Sequence, residues 1–475
     1  MNSRALVLLA GLFVLAWAFR RWRAAVQAAM VLVIFEGAIR KWLLPGAQDL
    51  VYFGKDVILI GAYAGYLGSG ATRLSTRLVP PGLTVLLVAS VAFGTIQVVN
   101  PQLPTPLLGA LGFKSYFLYI PLLWVLPAVY EKDADLVRFL KWSLLLAIPV
   151  GLLASAQFLS PRDSWLNTYA RGGGENALSF GSSVFVRVTG TFSFISGYAS
   201  YLLATASLLL GVLATTGWRI ASNLWVHACL GFTVLGMLMT GSRGPVFSLI
   251  LMLPLYWILS LVRERQAAAM FGRFVVVFVV LAVAAQRFAP QAVDAFAGRA
   301  IGSTDVGGRF AQPILAPLRA VDAAGVLGFG IGATHQAAFA VVRSAKEPYW
   351  LRGNLIEVEP GRVMLELGPI GFLLWYAARM SLIVWAFSTG LRLRTRFHRT
   401  MAVAAALFLA TQLPASAVFD PTASLYHWFI AALVPTMIAL DRRVGSAAPQ
   451  AAPTTPPTPD FSLPQQIRPI PSGSR

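Results

Sequence analysis

Thirteen apolar runs, each long enough to approach the thickness of a bilayer, follow one another along this 475-residue chain. They cover 5–19, 24–39, 51–68, 80–99, 116–130, 139–159, 193–214, 221–240, 244–261, 272–289, 367–388, 400–419 and 423–440. A spanning helix needs roughly 20 mostly apolar residues, and in lipid only helices and closed barrels satisfy their own backbone. The repetition predicts an all-α polytopic membrane protein of about 12–13 transmembrane helices. The second run is the weakest, because Glu36 lies inside it and Arg40 and Lys41 follow. Charged residues make up 12% of the chain and hydrophobic ones 57%, where soluble domains carry about 25% charge. With a mean hydropathy of +0.68, this excludes a soluble enzyme, a fibrous protein and a disordered chain.

The net charge is +19, which in a soluble chain would suggest nucleic acid. Here the enrichment of Lys and Arg in short cytoplasmic loops accounts for much of it, and no nucleic-acid partner is expected. With Arg20, Arg21 and Arg23 placed inside, alternation brings Arg73, Lys132, Arg219, Arg263, Arg392 and Arg442 to the same side. The C-terminus then lies inside, and 441–475 reads as a proline-rich disordered tail. Two longer segments fall outside. One is 160–192, within a first unit of ten spans at 1–289; the other is 290–366, long enough for a subdomain, before the last spans at 367–440. Residues 1–19 lack the basic start and cleavage site of a secretory signal and read as a retained helix. Cys229 is the sole cysteine, so neither an intrachain disulfide nor a thiolate cluster can form. Four scattered histidines argue against a metal centre, and no cofactor is expected.

The sharpest local signal is Thr240-Gly241-Ser242-Arg243-Gly244-Pro245, between two adjoining runs. Arg243 must sit at the outer membrane boundary, where an arginine snorkels, pairs or faces a wet cavity. A guanidinium beside a helix N-terminus suits a phosphate or pyrophosphate. Gly307-Gly308-Arg309-Phe310 opens a second helix whose Phe310, Ile314, Leu318 and Val321 recur at helical spacing. Arg319 lies on the same stretch. Gly328-Phe329-Gly330-Ile331-Gly332-Ala333-Thr334-His335 follows; without a βαβ unit its glycines signal tight turns, not a dinucleotide loop. His335 and the group Glu357, Glu359 and Arg362 supply the external candidates for a general base beside cations. Glu366 reads as an acid at a helix start, favoured by the macrodipole. Arg379, inside the run 367–388, needs an acidic partner, for which Glu36 and Asp56 are the nearest in kind.

A chain of many spans with a Ser-Arg-Gly turn, one long outer loop and a closing Glu-Leu-Gly-x-x-Gly resembles the bacterial O-antigen ligase and O-antigen polymerase superfamily. The carrying stretches are 240–248, 307–310, 328–335 and 357–371. The resemblance implies a multi-pass protein of the bacterial inner membrane with its long loop in the periplasm. It implies a membrane-type glycosyltransferase for O-antigen or exopolysaccharide synthesis. Such an enzyme moves a glycan from an undecaprenyl-pyrophosphate donor to an acceptor sugar hydroxyl, with a flippase and a chain-length regulator as partners. By position, Arg243 and Arg309 correspond to the arginines that hold the pyrophosphate, and Arg319 and Arg362 join them as neighbouring cations. Where family ligases carry a His-Asn pair, this chain reads Ile356-Glu357-Val358-Glu359-Pro360. The base therefore falls to Glu357, Glu359 or His335, which favours polymerase over ligase. The competing expectation is a transporter or flippase of an anionic lipid-linked glycan. The lack of an internal repeat counts against it.

Overall fold

The computed structural model describes residues 3–71, 77–170, 178–180, 185–216, 224–261, 279, 282–283, 285–287, 289–301, 306–336, 338, 358–415 and 417–446. Among them the regular structure is helical, joined by turns and loops, with an isolated antiparallel bridge between Ser179 and Val186. Helices α1 (Ser3–Arg20), α2 (Trp22–Ala38) and α3 (Gln48–Gly68) pack together. A π-helical turn at Ile39–Leu43 extends α2. Next come α4 (Pro81–Gln97), α5 (Pro106–Phe117), α6 (Leu122–Val129), α7 (Asp133–Leu145) and α8 (Ala147–Leu159). Helices α9 (Ile195–Thr216), α10 (Leu224–Thr240) and α11 (Arg243–Leu261) follow. After α12 (Pro290–Ile301) and α13 (Val306–Ala324), the chain closes with α14 (Glu359–Gly390), α15 (Arg396–Thr411) and α16 (Pro421–Ser446).

Six of these stretches are long and apolar enough to cross a membrane, and the bent pair α5–α6 makes a seventh. This is a multi-pass, all-α membrane architecture. Several expected spans are shorter apolar helices, namely α4, α10, α11 and the Leu9–Arg20 part of α1, and most of the run 272–289 lies outside the described residues. The centre is formed by α9 and α16, enclosed along almost all their length. The α9–α15 contact shows why small and hydroxylated residues recur there. Ser207 donates to the Ala404 carbonyl at 3.0 Å, and the Thr215 and Thr400 hydroxyls meet at 2.8 Å. Side-chain bonds of this kind join helices where lipid offers no hydrophobic drive.

Two span boundaries move from their expected places. The run 116–130 actually begins at Pro106 and bends by 47° around residues 118–121, where Pro121 lacks the N–H that a continuous helix needs. The run 367–388 begins at Glu359. In both cases the added stretch carries a charge that is paired inside the protein: Lys114 with Asp56, Glu359 with Arg379.

At one end of the bundle, His398 is fully buried, with Nε2 2.9 Å from Asp133 and Nδ1 3.1 Å from Asp441. It is therefore part of the packing, not a residue of an open basic loop. Arg443 donates to the carbonyls of Tyr130 and Glu131, and Arg23 pairs with Glu131 at 2.7 Å. These contacts collect α2, α7, α15 and α16 at the end where basic loops were expected.

Candidate functional site

The opposite end holds a helix broken on purpose by its sequence. Within α14, Gly368 adopts φ 64°, ψ −178°, a conformation accessible only to glycine, and Pro369 follows. The carbonyls at the end of the first segment thereby lose their helical partners. The glycine loop supplies new ones: Phe329 N–H donates to the Leu365 carbonyl at 2.8 Å and Gly330 N–H to the Glu366 carbonyl at 3.0 Å. Gly328, also at positive φ, lies against Gly368 backbone to backbone, leaving no room for a Cβ on either. Gly332 makes a similar approach to Gly112 of α5. Asn100 fixes the loop's start by donating to the Gly328 carbonyl at 3.2 Å.

The loop ends on a polar cluster. Thr334 donates to Glu366 Oε1 through both its N–H, at 2.8 Å, and its hydroxyl, at 2.7 Å. Arg362 in turn donates from Nε to the Thr334 hydroxyl at 3.1 Å and from Nη2 to the Thr334 carbonyl. Its guanidinium stacks on Phe419, with Cζ 3.6 Å from the ring centre. Among the described residues, Arg362 has no carboxylate within ion-pair distance. His335, half-buried, is the next residue after Thr334. Glu366, wholly buried, lies two residues before Gly368, at the end of the first segment of α14 and not at a helix start as the macrodipole reading had it. Beneath lies Glu359, fully buried, which pairs with Arg379 at 2.9 Å and accepts from the Val418 N–H at 2.6 Å. Arg379 also donates to the Gln412 carbonyl. The partner that Arg379 requires is thus Glu359 and neither Glu36 nor Asp56. Tyr116 of α5 closes the cluster, its ring edge-on to Phe419 at 5.9 Å and to Trp375 at 5.3 Å.

The structure therefore brings together His335, Arg362 and Glu359, with Glu359 committed to an ion pair. Arg243 lies in a different neighbourhood, at the first residue of α11. There Arg187 from the loop before α9 donates to the Thr240 carbonyl at 2.9 Å and to the Ser242 hydroxyl at 3.2 Å. Gly241 permits the turn with φ 62°. Arg319 is exposed on α13. Arg309 falls in the first turn of α13, but its side chain, like Glu357 as a whole, lies outside the described residues. On α13 the buried face is Ala316, Ala320 and Ala324, while Ile314 and Leu318 of the expected apolar face are exposed. Among the described residues no three metal-ligating side chains converge.

Sequence reasoning missed Thr334, Tyr116 and Phe419, which carry no charge to single them out. It also missed a second buried cluster. Glu36 pairs with Lys55 at 2.8 Å and lies 3.6 Å from Arg40, while Asp56 pairs with Lys114 at 2.6 Å and accepts from the Tyr119 hydroxyl at 2.6 Å. The adjacent Lys55 and Asp56 inside an apolar run were the signal available for it. The chain matches no protein-family model and is similar to no curated protein.

Proposed function

We propose that this protein is a glycosyltransferase of the periplasmic face of the bacterial inner membrane that polymerises, or ligates, oligosaccharide repeats from an undecaprenyl-pyrophosphate donor onto an acceptor sugar hydroxyl. The observation that carries the reading is Arg362. It is a cation oriented by Thr334 and Phe419, forms no direct ion pair among the described residues because the Thr334 hydroxyl stands between it and Glu366, and sits beside His335 at the end of a rigid glycine loop. An arginine fork held in place suits an anion such as pyrophosphate. In the transfer, the acceptor hydroxyl oxygen bonds to the anomeric carbon while the bond from that carbon to the pyrophosphate oxygen breaks. The pyrophosphate leaves with the electron pair, and its growing charge is stabilised by Arg362, with Arg243 as a second cation along the donor. His335 takes the hydroxyl proton, a contribution of about 10²–10⁴-fold. Pre-placed cations at the leaving group supply the remaining electrostatic stabilisation. Glu359, locked to Arg379, serves the scaffold in this scheme.

The transporter reading draws support from one observation, the charged side chains of the α2–α3–α5 cluster within membrane-spanning stretches, where ionisable groups commonly mark transport paths. Surface glycan separates the two. In a deletion strain complemented with Arg362→Ala, Arg243→Ala or His335→Ala at equal membrane levels, the transferase reading expects single repeats at the surface and no long polymer. Polymer of normal length in all three variants overturns it. Loss of single repeats together with polymer favours transport.

A further inference from the structure

Helix α5 lies between the two buried clusters and faces both. Gly112 and Tyr116, four residues apart, share one side of the helix and meet the glycine loop and Phe419. Lys114 lies on the other side and ends on Asp56. Just beyond, the helix breaks, and Tyr119, inside the break, donates to the second oxygen of the same carboxylate. Asp56 is thus bound to the chain on both sides of Tyr116. Its side chain is 5% exposed, so water cannot take over either contact. Around it stand the other charged and titratable groups of the cluster. Tyr52 presents its ring to Lys114 at 4.3 Å, Lys55 at 4.6 Å and Arg40 at 5.2 Å, and Glu36 completes the set through Lys55.

We propose that Asp56 is a positioning residue for the Arg362–His335 site: by holding Lys114 before the break in α5 and Tyr119 within it, it fixes Gly112 and Tyr116 against the glycine loop. The functional meaning of this rests on the transferase reading; the mechanical coupling does not. The loop has backbone bonds to α14 on one side and its start accepts from Asn100, ahead of α5; against α5 itself Gly332 closes on Gly112 backbone to backbone. A close approach of this kind holds only while the approaching helix is held.

Hydrogen exchange on the full-length protein in nanodiscs tests it. Asp56→Asn/Lys114→Met removes the latch without leaving a buried charge unpaired, and Tyr119→Phe removes one contact with minimal change of shape. Glu36→Gln/Lys55→Met is the control, an equal lesion in the same cluster that does not touch α5. We expect amides of 328–336 to exchange about tenfold faster in the Asp56 double variant and about threefold faster in Tyr119→Phe. Exchange in α15 and α16 stays as in wild type, and the control leaves 328–336 unchanged. Unchanged exchange at 328–336 in Tyr119→Phe and in any folded Asp56 variant overturns the proposal, as does equal loosening in the control. If the loop loosens while polymer length stays normal, the positioning role stands and the transferase reading fails.

Discussion

Two charged clusters share one end of this bundle and differ in what their side chains have left to offer. Around Tyr52, each carboxylate is matched by a cation on a neighbouring helix: Glu36 to Lys55, Asp56 to Lys114. Around Thr334, the deeper pair, Glu359 with Arg379, is matched directly, here within α14 across its break. Above it, Arg362 rests on an aromatic face and donates to Thr334, whose hydroxyl links it to Glu366 in place of a direct ion pair. A charge in direct contact with its partner ties the bundle together; a guanidinium whose carboxylate neighbour is reached only through a hydroxyl keeps donors for a ligand. The comparison teaches that burial alone does not mark function, since both clusters are buried, whereas the state of pairing separates them.

The largest expected effect tests whether the matched pairs are alike. Breaking a buried pair from one side costs about 3–5 kcal/mol, because the remaining charge is stranded, while replacing both partners by apolar groups is often neutral. Glu359→Gln and Lys55→Met should each abolish accumulation of folded protein in the membrane. The double variants Glu359→Leu/Arg379→Met and Glu36→Leu/Lys55→Met should recover it. Membrane yield and size-exclusion profile measure this. If either single variant accumulates normally, that pair is not a structural tie and its cluster belongs with Arg362.

A middle-sized effect is expected at the glycine pair. Gly328→Ala or Gly368→Ala places a side chain where the other backbone already lies and forces a positive φ, a combined cost of about 2 kcal/mol or more. Thermal unfolding should fall, and polymer length with it. Gly298→Ala, on α12 with nothing near the added methyl, should leave both unchanged. Equal stability of all three would show that the loop yields easily and does not present Arg362 rigidly.

How much of this was legible in the sequence follows from the same distinction. Apolar runs disclosed the helices, because lipid imposes one pattern on any span. The glycines of 328–332 disclosed tight turns, because their need for positive φ is local. Charges misled wherever their partner was remote: Glu359 and Arg379 are 20 residues apart and Lys114 and Asp56 are 58. Read alone, Arg379 was given Glu36 or Asp56 as its nearest partners, and Glu366 was assigned to a helix start. Thr334 and Phe419 were illegible in principle, since nothing in a threonine or a phenylalanine announces that a guanidinium will rest on it.

The smallest effect on stability should accompany a large effect on activity, at Arg362→Lys. Lysine keeps the positive charge, so no new unpaired carboxylate arises in the cluster, and Glu366 retains its two bonds from Thr334. What is lost is the planar fork that bonds the Thr334 hydroxyl and carbonyl together while stacking on Phe419, a geometry that an ammonium cannot reproduce. Stability should change by no more than about 1 kcal/mol, seen as a near-unchanged unfolding temperature. Surface polymer should nevertheless be lost, because a tethered point charge no longer presents two aligned donors to an anion. If Arg362→Lys makes polymer of wild-type length, positive charge alone suffices at this position. If it unfolds as readily as Glu359→Gln, Arg362 is one more structural tie, and the contrast between the two clusters disappears.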